Sequence, residues 1–101
     1  MAFRVEVACD RNPEGDVARY DWYRDSQLSG SSPQPAAGDP SFVFEVVEQT
    51  VDFVLGVEVV DLAGNRSTRT TYPVHLDALA PAKATGLRLL SAVWTAPASG
   101  A

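Results

Sequence analysis

Apolar and polar residues alternate with a period of two along most of the chain, and clusters of Pro, Gly, Asn, Asp and Ser interrupt the pattern. Phe3, Val5, Val7 and Cys9 alternate with Arg4, Glu6, Ala8 and Asp10, which predicts a half-buried strand near the start. Arg11 to Asp16 is a turn cluster. A second strand is predicted over Val17 to Arg24, with Tyr20 and Trp22 on one face and Asp21 and Tyr23 on the other. From Ser26 to Pro40 large apolar residues almost vanish, and the Ser, Gly and Pro content predicts a mobile surface loop. Ser41 to Glu48 reads as a third strand: Phe42, Phe44 and Val46 face one way, and Val43 and Val47 make the other face partly apolar.

The organising run is Phe53 to Ser67, FVLGVEVVDLAGNRS, reached through a corner at Gln49-Thr50. Phe53, Leu55, Val57 and Val59 form one apolar face, so this run is expected to be a central strand. Asp61 to Asn65 supplies a turn, because Gly tolerates positive φ and Asp and Asn bond their own backbone. A second alternating run follows at once, through Thr68, Thr70, Tyr72, Val74 and Leu76 to Asp77. Pro73 lacks an amide donor, which assigns this strand to a sheet edge or a bulge. No segment carries a useful 3.6-residue apolar stripe, so the expected class is all-β.

A length of 101 residues with 46% hydrophobic side chains accommodates one domain and a real core. The net charge of −5 argues against a nucleic-acid partner, which requires a basic patch. Cys9 is the single cysteine, so no internal disulfide or cysteine metal cluster is expected, and the thiol reads as a small buried hydrophobe. No run approaches the length of a membrane span, and the N-terminal residues alternate instead of forming a signal peptide. The expectation is a protein made in the cytoplasm, or a piece cut from a longer secreted one.

A strand closed by a D-x-A-G-N-x-S turn resembles the F–G hairpin of fibronectin type III and related immunoglobulin-like domains. Tyr20-Asp-Trp22-Tyr23-Arg24-Asp25 is similar to the Y-x-V-Y-R-D strand of the same family. The resemblance covers residues 3 to 77 and implies a two-sheet antiparallel β-sandwich whose strands correspond to B, C, E, F and G. Two departures stand out. Phe53 replaces the tyrosine whose hydroxyl ties a corner, and the usual strand B tryptophan is absent, with Val7 or Cys9 near its place. Trp22 is left as the expected core anchor.

Within this frame residues 1–77 form a sandwich lacking its usual first strand, and residues 78–101 form a linker and strand-like tail. Residues 80–97, APAKATGLRLLSAVWTAP, resemble the opening of another unit, but only seven residues separate Gly86 from Trp94. Three readings stay open. The tail is the edge of a neighbouring unit in a tandem array, a strand donated to another copy or partner, or a strand returning to its own domain. The last is strained, because about ten residues reach only ~33 Å when extended.

His75, beside Asp77 on the polar face, has no nucleophile motif around it, and the carboxylates show no paired spacing suited to catalysis. No enzymatic activity is expected. Asp10, Asn12, Glu14 and Asp16 alternate like calcium ligands, yet Pro13 interrupts them and the central Gly and distal Glu of such loops are out of place. Asn65-Arg66-Ser67 fits a glycosylation pattern that the turn itself also requires. Tyr20, Trp22 and Tyr23 could stack on sugars only if their ring faces were exposed. No cofactor is expected. The expected role is a noncatalytic structural or interaction module of a virion, phage tail or extracellular surface, with a carbohydrate- or cell-surface-binding accessory module as the alternative. Contacts are expected through a sheet edge and the tail, at Leu87, Leu89, Trp94 and Tyr23.

Overall fold

The computed structural model describes residues 1–95. Six strands follow one another: β1 (Phe3–Ala8), β2 (Val17–Arg24), β3 (Gln27–Pro33), β4 (Ser41–Val46), β5 (Thr50–Asp61) and β6 (Thr70–Asp77). They make two antiparallel sheets, one of β1 and β4 and one in the order β3-β2-β5-β6, and the described residues include no helix. The all-β expectation is met.

The smaller sheet pairs Val5 with Phe44 and Val7 with Phe42, so its apolar positions fall on one face. The larger sheet pairs Tyr20 with Val59 and Trp22 with Val57. The two faces meet through aromatic rings. Phe42 stacks on Trp22 at a centroid distance of 6.1 Å, and Phe44 meets Phe53 edge-on at 6.0 Å. Tyr20, Trp22, Val46, Phe53 and Val60 are buried. Trp22 anchors the core, at 1% exposure, and β5 lies between β2 and β6 as the alternation requires.

The segment read as a mobile loop, Ser26 to Pro40, is corrected in part: Gln27–Pro33 is strand β3, hydrogen-bonded along β2. Arg24 pairs with Gln27, so the hairpin turns over Asp25 and Ser26, with Asp25 at φ 54°. Its inward positions are small because aromatic rings lie over them. Ser32 Oγ accepts the Trp22 indole N–H at 2.8 Å, and a Cβ on Gly30 would come within 2.5 Å of the Phe42 ring. Period-2 hydrophobicity does not register such a strand.

Two further details differ from the alternation pattern. The last strand does not follow the turn at once: β6 begins at Thr70, and Ser67 first clips onto Val59 through its amide and hydroxyl at 2.9 Å each. The turn itself forms as expected, with Asp61 Oδ1 accepting from the amides of Ala63 and Asn65 and Gly64 at φ 88°. Pro73 sits on β6, which is the outer strand of its sheet. A tyrosine hydroxyl does tie a corner, but it belongs to Tyr20, which accepts from the Asn12 amide at 3.0 Å and donates to Gln34 Oε1 at 2.6 Å.

Candidate interaction surface

Strand β1 has a neighbour on one side only, β4, and its other edge borders a gap between the two sheets. Alternation places Val5 and Val7 on the inner face, where they remain half-buried because nothing closes that side. β5 and β6 form the opposite wall with Leu55, Val57 and Tyr72, and Trp22 lies at the floor. The result is an apolar groove with a cavity volume of 470 Å³, and Cys9 lines its far end. Burial pushes the Cys9 thiol above its ordinary pKa, and the carboxylates of Asp10 and Asp39 add to the shift. The thiol is therefore protonated at neutral pH and a poor nucleophile.

The tail supplies the opposite feature. Residues 78–95 carry no strand and every one is exposed. Leu87 is 99% exposed, Leu89 80% and Trp94 87%. These three expected contact residues lie together on the tail, while residues 96–101 of the same expected tail lie outside the described residues.

Tyr23, the fourth expected contact residue, is elsewhere and already engaged. The Arg69 guanidinium lies over its ring, 3.6 Å from the centroid, and its hydroxyl donates to Glu58 Oε1 at 3.3 Å. Gly56, paired with Tyr23 across the strands, makes room for this: a Cβ there would meet Arg69 Cδ at 2.7 Å. The network continues to Asp21, which is buried and accepts from Ser31, from Arg19 Nε at 3.0 Å and from Arg66 at 2.8 Å. Burial alone would raise the Asp21 pKa, but the hydrogen bonds from Ser31, Arg66 and Arg19 outweigh it and hold the carboxyl below its ordinary range. Sequence reasoning placed Asp21 on the polar face and missed this node. The available signal was the pair of arginines, Arg66 and Arg69, just past the turn.

The remaining candidates are committed locally. His75 Nδ1 lies 2.6 Å from Asp52 Oδ1 across β5 and β6, with the two side chains 61% and 82% exposed. That is a solvated surface pair. Asn12 Oδ1 accepts the Glu14 amide at 2.9 Å, and the Asn65 side-chain amide donates to Asp61 at 3.0 Å, so both serve turns. Among the described residues no group of three or more His, Cys, Asp or Glu side chains is placed to hold a metal ion, and no helix is long and apolar enough to cross a membrane. Comparison with protein-family models, curated proteins and solved structures finds no match for the chain.

Proposed function

We propose that this chain is a noncatalytic structural and interaction module, built as an immunoglobulin-like β-sandwich of the fibronectin type III kind, and a component of a larger assembly such as a phage virion or tail. The observation that carries the reading is the open edge of β1 with the apolar groove beside it. Unpaired strand edges template further pairing, and an exposed apolar groove next to one costs solubility unless a partner covers it. The strand order supports the architectural part. Taking β1, β2, β3, β4, β5 and β6 as strands B, C, C′, E, F and G reproduces the two sheets of that architecture with the first strand left out. The virion placement rests on resemblance of fold alone.

The carbohydrate-binding alternative draws less support. It needs free ring faces on β2, whereas Tyr20 and Trp22 are in the core and Arg69 covers Tyr23. Velocity sedimentation of lysate from cells expressing the natural gene tests the assembly reading. The chain is expected in fractions far heavier than its own 10.8 kDa, and recovery only as the free chain would contradict it.

A further inference from the structure

The tail matches the apolar groove in its sequence pattern and the body around it in opposite net charge. Strand β1 offers six residues of unpaired edge, and Leu87 to Val93 provides seven residues of extended, unpartnered chain. In that segment Leu87, Leu89 and Val93 share one face of a strand, as an added edge strand requires for covering an apolar groove. All thirteen carboxylate side chains lie in residues 1–77, against six of the eight basic ones, which leaves that part at −7. Lys83 and Arg88 are the only charged side chains of residues 78–101, so the tail carries +2. A basic segment thus hangs from an acidic body.

We propose that residues Leu87 to Val93 of one copy add as a strand to the free edge of β1 in a second copy and fill the groove between β1 and β6. The proposal rests on the assembly reading and names its partner. Its own chain is a poorer source of the strand. The tail leaves β6 at the pole where β1 begins, since Ala78 lines a cavity with Met1, Ala2 and Phe3. None of residues 78–95 returns to the free edge of β1: every one is exposed and none pairs with a strand. The molecule instead spans 90 Å in its longest direction, with the tail held away from the sheets. A groove and a strand on different parts of one surface make a heterologous, head-to-tail contact, which propagates or closes into a ring.

The test uses the full chain in three forms: unmodified, with Leu87→Asp and Leu89→Asp in the tail, and with Val7→Arg in the groove. Light scattering gives the mass, and the rate at which a thiol reagent labels Cys9, the only cysteine, reports on the groove it lines. The unmodified chain is expected to rise above its 10.8 kDa monomer mass with concentration, while Cys9 labelling slows several-fold over the same range. Each variant alone stays monomeric. An equimolar mixture of the two forms a complex of two chains and no more, because it contains one intact tail and one intact groove per pair.

Association that survives the tail substitutions overturns the proposal, as does association that leaves Cys9 labelling unchanged. A chain that stays monomeric at every concentration overturns it too, whether Cys9 is open or protected. The tail variant alters only exposed side chains, so its result decides the matter even if Val7→Arg fails to fold. A pure chain that remains monomeric yet sediments with a heavy particle in lysate overturns strand donation and leaves the assembly reading standing.

Discussion

Asp21 is the buried acid of the larger sheet, and its three charge-assisted or hydroxyl hydrogen bonds come from two strands and the turn. Because its pKa is lowered on folding, it stabilises the fold above the unfolded carboxyl value of about 4, and the contribution is lost as pH falls through the lower folded value. Asp21→Asn keeps the shape and removes the charge. It is expected to cost about 1–3 kcal/mol in urea denaturation at pH 7, and the difference from the unmodified chain should shrink as pH drops below about 4. A difference that is the same at pH 7 and pH 3 would show that the charge is not what matters. The position of Asp21 on the polar face is legible from its place between Tyr20 and Trp22. Its burial is not, because Ser31 and Arg66 stand 10 and 45 positions away and only the folded sheet brings them together.

Among the elements, those that bury a face of large side chains are the ones that alternation reveals. β1, β4 and β5 carry Phe, Val or Leu at successive alternate positions, β2 carries Tyr20 and Trp22 in the same spacing, and Pro73 marks β6 as the edge. β3 hides because its inner face is made of the gaps that aromatic rings need, Gly30 beneath Phe42 and Ser32 beneath Trp22. Gly30→Val is therefore expected to destabilise by about 1–3 kcal/mol, since Phe42 is stacked between Trp22 and Phe44 and has little room to retreat. Adding Phe42→Leu to Gly30→Val should recover part of that loss in a double-mutant cycle. Additive losses would mean the two positions do not share the space. The delay of β6 to Thr70 escaped the pattern for a related reason: Thr68 alternates correctly, but Ser67 has already bonded Val59, and Arg66 and Arg69 are drawn over the sheet by Asp21 and Glu58.

For the molecule as a whole, the sequence separates a body from a tail and leaves one strand without a neighbour, but the groove is a tertiary void that no periodicity encodes. It exists because the smaller sheet has two strands where the larger has four, so Val5 and Val7 face Leu55 and Val57 across a space that neither sheet closes. The same imbalance underlies the proposal that the chain joins other chains through the open edge of β1 and the exposed tail. Hydrogen exchange followed by mass spectrometry, on the unmodified chain at low and high concentration, addresses both surfaces at once. Amides of Phe3–Ala8 and of residues 87–93 are expected to gain protection together as concentration rises, with β2 and β3 unchanged. Exchange that is independent of concentration at both segments, or protection of the tail without β1, would contradict the account.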